Sequence, residues 1–394
     1  MIRSAAITLF ALVSGIARAE GESPGEPSIK VRPEVIYRQL SLARRKSSAF
    51  HRPKEDKDTV DQLYATLRYD LNWEYEDAAV LEAGIRTPRE SPNGGTELVI
   101  QQGFIESQLA GGLFLLTTGK KVEFDGPGIL MNPSDLLNED KDLIDPLYQR
   151  EGKFFTRLAI SGVAGKVGLG FIPLRAAFAG KGKAWLQGQT QIAGIDLRLQ
   201  ATMQSEDKAT TGFSASRFFA GDRLELHVDG RYQSRQRSPG EQRERSFSSF
   251  KHLDPSMFVL AGGRFVIAGK RSATIEFMQN QSGLDRKEFR DFLASIEAQD
   301  EASNDKKPDS RFLGRTYAFL AFHDEDSLPK TRISASVLQN ALDQSTFASV
   351  ELRRSISPLI SLSVNPTFFS GGTDSEFGEM PFSSIIYLQA TGRI

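Results

Sequence analysis

The densest run of residues that could do chemistry lies at 119–146. It reads Gly119-Lys120-Lys121-Val122-Glu123-Phe124-Asp125-Gly126-Pro127-Gly128 and continues through Asn132-Pro133-Ser134-Asp135 to Asp145-Pro146. A glycine-rich loop can cradle phosphate, but that chemistry needs a Gly-Lys-Ser/Thr and then a helix, and neither is expected after Gly128. These residue types support a shaped loop instead. Gly126, Pro127 and Gly128 make one sharp turn, Asn132-Pro133 starts another, and Asp135 can accept hydrogen bonds from nearby amides. Such a segment is expected to be ordered, either folded inward to narrow what it covers or closing it as an outer cap.

Other chemistry is thinly represented. The four histidines, His51, His227, His252 and His323, have no ligand-type spacing, and cysteine is absent. No metal site, disulfide framework or lipid-modified N-terminal cysteine is therefore expected. His227 falls on the polar face of an alternating segment, where a solvated side chain is expected rather than a base. No spacing of serine, histidine and acid points to hydrolysis. The reading is of a protein that is not an enzyme, with no catalytic residues and no cofactor. With 49 basic and 50 acidic residues, nothing suggests a nucleic-acid partner.

The elements that must position the loop are strands. Leu63, Ala65, Leu67, Tyr69, Leu71 and Trp73 alternate with mostly polar residues, and so do Ile195, Leu197, Leu199, Ala201 and Met203, and Leu224, Leu226 and Val228. The pattern recurs near 80–87, 97–109, 113–123, 153–161, 166–172, 184–192, 212–220, 257–267, 272–281, 313–323, 331–340, 346–356, 359–369 and 383–394. Helical spacing is clear only in Asp285 to Glu301, where Phe289, Phe292, Leu293 and Ile296 share one face.

Connections alternate in length. Tight ones at 110–112, 162–165, 193–194, 221–222, 269–271 and 357–358 interleave with longer ones near 88–95, 124–152, 173–183, 205–211, 234–256, 282–312 and 370–382. Turns at one end and long loops at the other characterise a transmembrane antiparallel β-barrel. The mean hydropathy of -0.32 fits strands that are apolar on one face only. An even strand number is required, which makes 28–41 a strand and the total about 18; without a strand at 80–87 the alternative is 16.

The chain opens with Arg3, an apolar stretch from Ala5 to Ala17 and Ala17-Arg18-Ala19, the pattern of a cleaved secretory signal. The expected organisation is a signal peptide at 1–19, a periplasmic lead-in at 20–60 that contains the first strand, and an outer-membrane barrel at 61–394. The last strand alternates Ile386, Leu388, Ala390, Gly392 and Ile394 with Tyr387, Gln389, Thr391 and Arg393. It resembles the C-terminal targeting strand of outer-membrane barrels, although the final residue, usually aromatic there, is Ile394. That resemblance implies delivery by the barrel-assembly machinery and outer-membrane lipid as the surrounding partner.

Apolar faces toward lipid would leave Arg68, Asp70, Asp196, Arg198, Glu225, Asp229, Arg231, Glu276, Arg332 and Arg393 lining the lumen. The constriction candidates are Asp125, Gly126, Pro127, Gly128, Asn132, Pro133 and Asp135. The segment from Gly119 to Pro146 also resembles the alginate-export-like and related porin-like outer-membrane barrels of Gram-negative bacteria, in about thirty residues. Their members carry a strand ending Gly-Lys/Arg-Gln/Lys, a Trp-Gly-type turn and Asn-Pro-x-Asp; here Phe124-Asp125-Gly126 stands where Trp-Gly belongs. The functional expectation is a channel or exporter for hydrophilic solutes, anionic ones among them, of unidentified species. The alternatives are a plugged structural or partner-binding barrel and, last, an outer-membrane enzyme.

Overall fold

The computed structural model describes residues 28–45, 48, 59–73, 77–86, 97–123, 126–137, 152–162, 165–173, 182–204, 208–234, 256–297, 313–325 and 327–393. Its strands are β1 (Ser28–Arg44), β2 (Thr59–Trp73), β3 (Asp77–Arg86), β4 (Glu97–Leu109), β5 (Phe114–Lys121), β6 (Lys153–Gly162), β7 (Gly165–Pro173), β8 (Gly182–Ile192) and β9 (Ile195–Gln204). They continue with β10 (Lys208–Phe219), β11 (Leu224–Gln233), β12 (Ser256–Ala268), β13 (Arg271–Asn280), β14 (Thr316–Asp324), β15 (Thr331–Asn340), β16 (Thr346–Ser355), β17 (Ile360–Ser370) and β18 (Phe382–Arg393). One 18-stranded sheet contains them all in sequential order. Because β3 is a strand, the described residues contain eighteen strands, the expected number, and not the sixteen of the alternative.

The sheet closes on itself. β1 runs antiparallel to β2 and to β18, with Val35 opposite Ala65 on one side and Gly392 on the other. Among the described residues closure gives every strand a neighbour on both sides, so backbone groups pair within the protein, as a lipid environment demands; residues 28–33 of β1 run past the end of β18 and pair with β2 alone. Arg393 Nε lies 2.8 Å from Glu34 Oε1 across the closing seam.

Connections at one end run 74–76, 110–113, 163–164, 193–194, 220–223, 269–270, 325–330 and 356–359. The opposite end carries 45–58, 87–96, 122–152, 174–181, 205–207, 234–255, 281–315, 341–345 and 371–381. In transmembrane barrels of this kind the short turns lie on the periplasmic side, and by that rule the short set is assigned as periplasmic and the long set as extracellular. The expectation of a longer loop at 205–211 is corrected: β10 begins at Lys208, because Lys208 and Ala209 continue the ladder against Gln204 and Met203. Ala193 and Gly194, at φ 52° and 76°, form the left-handed two-residue turn that matches the twist of β8 and β9.

Strand phase follows the alternation. In β6, Phe154, Leu158 and Ile160 are exposed on the outer wall, whereas Phe155, Arg157 and Ala159 are buried inside. In β9 Leu199 is 63% exposed and its neighbour Gln200 is 2% exposed. A belt of exposed apolar side chains on a closed barrel is the surface lipid covers.

The interior is not uniformly polar. Leu40 and Leu42 of β1, Phe258 and Leu260 of β12, Met278, Tyr317, Phe319, Leu338, Phe347, Phe369, Ile385 and Tyr387 form one buried apolar cluster with Leu130, Met131 and Phe377. Its strand members lie toward the ends that carry the long loops, so it occupies the extracellular half beside β12–β18 and β1. Alternation alone assigns these positions to a hydrated wall; the cluster arises because loop residues reach in to cover them.

The predicted helix is α1 (Arg286–Glu297). Asp285 caps it: its Oδ1 accepts from the amides of Lys287 and Glu288, both at 2.9 Å, while Glu288 Oε2 accepts from the Asp285 amide at 2.9 Å. The Glu288 amide holds the Asp285 carboxyl below its ordinary range despite partial desolvation. Phe289, Phe292 and Leu293 pack with Leu284 and Leu313, so the helix seals its own loop rather than entering the apolar cluster.

The lipid belt makes a direct prediction. Leu199→Arg places a charge against hydrocarbon near the middle of β9, at a cost of about 2–4 kcal/mol, whereas Arg198→Gln changes only the lumen face. On a heat-modifiability gel the first variant should lose most of the folded band and the second should match the parent.

Candidate functional site

The β5–β6 connection enters the lumen. Leaving β5, Glu123 Oε1 sits 2.6 Å from Arg157 Nη2 of β6. The chain then reaches β13, which lies almost opposite β5 in the closed ring. There the amides of Ile129 and Leu130 donate to Glu276 Oε1 and Oε2 at 2.6 and 2.7 Å. Leu130 and Met131 enter the apolar cluster. Returning, the Ser134 amide donates to Asp229 Oδ1 of β11 at 2.6 Å. Leu137 packs against Phe155, Ile172 and Trp185 of β6, β7 and β8. The described loop thus crosses the lumen and is held on both sides.

Sequence shapes the loop locally. Asn132-Pro133 starts a turn closed by the Asp135 amide on the Asn132 carbonyl at 3.0 Å, and Asp135 Oδ1 accepts from the Leu137 amide at 3.2 Å. Gly126 has φ 94°, and a Cβ there would lie 2.3 Å from Asp229 Oδ2. Gly212 on β10 is required in the same way, since a Cβ would meet the Ser134 carbonyl oxygen at 2.5 Å. Of the constriction candidates, Gly126, Pro127, Gly128, Asn132, Pro133 and Asp135 lie in this crossing segment, and Asp125 lies outside the described residues.

The lumen candidates all face inward, but they divide by role. Asp229 and Glu276 are buried as anchors of the loop; His227 Nε2 lies 3.1 Å from Glu276 Oε1. Glu225 pairs with Arg264 at 2.7 Å. Arg231 stacks over Phe258 at 5.6 Å. Asp70 lies 2.8 Å from Arg68 Nε and 3.2 Å from Arg32 Nε. Asp196 accepts from Gln191 at 3.0 Å, and Arg198 reaches Gln189. Arg332 and Arg393 line a cavity of about 410 Å³ at the periplasmic mouth, together with Lys270, Glu325, Lys330 and Arg353. There Arg332 bonds Glu325 and holds that carboxyl below its usual range.

Sequence reading missed a charged group on the near wall. Lys121 Nζ lies 2.5 Å from Glu106 Oε2 and 3.7 Å from Glu123. Arg157 bonds Glu123 and stacks over Trp185 at 5.5 Å. Arg157 stands between outward Leu158 and Thr156 in an alternating segment, so its inward direction was legible; its partners on other strands were not. Glu376, in the 371–381 connection, was also missed. Its carboxylate accepts from the Leu313 amide at 2.8 Å, Tyr317 Oη at 2.6 Å and Asn340 Nδ2 at 2.9 Å. Burial outweighs these donors and pushes its pKa up to about 7.

A closed barrel of this size with a loop folded into its lumen can be set beside solved structures. The chain is similar to OccAB1 of Acinetobacter baumannii (TM-score 0.57, 9% identity, covering 96% of this chain and 98% of that one). It is also similar to OccK5 (OpdH) of Pseudomonas aeruginosa (0.55, 8%, 93% and 98%) and to a variant of the Rh. blastica porin (0.50, 8%, 93% and 100%). The fold is that of an outer-membrane porin. No family model and no curated protein matches the chain by sequence.

Two predictions follow from these contacts. Glu276→Ala removes the acceptor that positions the Ile129 and Leu130 amides, at about 1–3 kcal/mol for the buried Leu130 amide. The variant should show protease nicking inside 126–137 and a lower unfolding temperature, whereas Glu225→Ala should show neither. The second concerns pH: a carboxyl raised in the folded state contributes most stability below its unfolded value of 4.5, and that contribution is lost as pH rises toward about 7. The folded barrel should therefore be more stable at pH 5 than at pH 8 by on the order of 3 kcal/mol from this group. In Glu376→Gln that part of the pH difference should vanish in thermal unfolding.

Proposed function

We propose that the protein is a channel or exporter of the outer membrane of a Gram-negative bacterium, passing hydrophilic solutes, anionic ones among them, through a charged lumen narrowed by the β5–β6 loop. The observation that carries this reading is the seating of Ile129, Leu130 and Ser134 on Glu276 and Asp229. A loop bonded to the far wall sets the cross-section of a barrel wide enough to hold water. With the apolar cluster beside β12–β18 and β1, the polar passage falls along β2–β9, where Arg68, Asp70, Lys121, Arg157, Asp196 and Arg198 face inward. Arg and Lys on that wall favour anions, and Asp and Glu on it oppose them.

The motif from Gly119 to Pro146 supports a finer kinship with alginate-export-like barrels, and the alternation of the last strand supports assembly by the barrel-assembly machinery. Lumen side chains engaged in pairing, stacking and loop anchoring support transport rather than catalysis. A second reading has a specific observation in its favour. The apolar cluster fills part of the extracellular half, which suits a plugged barrel whose outer loops bind a partner.

Single-channel recording separates the two. The parent should conduct in a planar bilayer, and deletion of Leu130 to Leu143 should raise conductance and shift ion preference toward anions. A barrel that inserts without conducting would support the plugged form. Conductance and ion preference that survive the deletion unchanged would place the constriction elsewhere.

A further inference from the structure

The seat of the loop contains more hydrogen-bond acceptors than donors. Asp229 Oδ1 takes the Ser134 amide, but Asp229 Oδ2 and Asn132 Oδ1 have no well-formed hydrogen bond; Ser134 Oγ, whose one hydrogen is within reach of the Asp229 carboxylate, completes the group, and none of the three is open to solvent. Asp229 and Ser134 are 0% exposed and Asn132 is 9% exposed. The three groups converge: the position of a Cβ on Gly126 lies 2.3 Å from Asp229 Oδ2, 3.1 Å from Ser134 Oγ and 3.0 Å from Asn132 Cβ. Glycine at 126 keeps that space free of a side chain. His227, two residues from Asp229 on the same inward face of β11, has Nε2 on Glu276 and a buried, unpartnered Nδ1.

Buried polar atoms that lack a partner are costly, and the cost here falls on acceptors. The one hydroxyl hydrogen, on Ser134, can serve a single neighbour. Two carboxylates, Asp229 and Glu276, share the seat with His227. The remaining demand is for positive charge among oxygen atoms, which is the chemistry of a hard cation and not of a thiolate- or imidazole-bound metal. Among the described residues no three His, Cys, Asp or Glu side chains gather as a metal-binding group, and both oxygens of Glu276 are taken by the Ile129 and Leu130 amides, so a site here would rest on one carboxylate and neutral oxygens.

We propose that Asp229, Asn132 and Ser134 form a binding site for a hard divalent cation of the calcium type, which fastens the lumen loop to β11. The ion supplies the charge that the buried carboxylate lacks and joins loop to wall through oxygens on both. Its further ligands would be backbone carbonyls and water, as is usual for a site with one carboxylate. A single carboxylate implies modest affinity, suited to the calcium concentrations outside a cell.

The test uses the full-length barrel purified in detergent, stripped with EGTA and titrated with calcium chloride in a calorimeter. One site with a dissociation constant of roughly 10⁻⁴–10⁻³ M is expected, and its occupation should raise the unfolding temperature. Ser134→Ala keeps the amide bond to Asp229 but removes one ligand, and should weaken binding about tenfold while the barrel still assembles. Asp229→Asn should abolish the site. If Asp229→Asn does not assemble, Ser134→Ala decides the matter. No calcium uptake by the parent, or wild-type affinity in the variants, overturns the proposal and leaves a water or a proton at the acceptors. Binding is read on the folded barrel, so the result is independent of whether the barrel conducts.

Discussion

Everything in this molecule depends on closure of the strand ladder. A backbone amide or carbonyl left unpaired in hydrocarbon costs several kcal/mol, so a sheet can cross a membrane only when its first and last strands meet. Here β1 meets β18 over Glu34 to Arg44, directly opposite the register it keeps with β2. Closure fixes which side chains face lipid and which face inward, because side chains alternate strictly along each strand. It also fixes the interior width, and through that the room available to a loop folded back from the rim.

Within that enclosure the loop is held chiefly by neutral donors on buried carboxylates. Glu276 takes two consecutive amides and Asp229 takes a third. Amide donors specify position tightly, since both oxygens of Glu276 are satisfied only when Ile129 and Leu130 stand in one place. They leave the second oxygen of Asp229 buried without a well-formed hydrogen bond, beside Asn132 and Ser134 of the loop. The same economy of contacts appears at Glu376, which joins the ends of three extracellular connections through Leu313, Asn340 and a tyrosine hydroxyl.

The lumen is consequently divided. Apolar packing of Leu130 and Met131 with the extracellular ends of β12–β18 and β1 gives the loop a dry footing. The opposite wall keeps paired charges, such as Lys121 with Glu106 and Arg157 with Glu123. Burial of the loop's apolar residues and retention of charge on the other side are two consequences of one placement.

Sequence by itself determined the strands, their phase and the distinction between turns and long loops, because those depend on neighbours two residues apart and on turn-forming residues. Leu199 out and Gln200 in, the hairpin at Ala193-Gly194 and the capped helix at Asp285 to Glu288 are all local. It also marked 126–135 as an ordered loop, through Gly126, Pro127 and Asn132-Pro133. Only the tertiary structure decided that this loop lies inside and that Glu276 and Asp229, two of ten inward charges of similar appearance, are the ones that hold it. It likewise decided that Leu40, Phe258 and Tyr387 share a dry core on what alternation reads as the wet face. The physical reason is that each of these facts joins residues far apart in the chain across the lumen, and such a pairing leaves no periodicity in either partner's own segment.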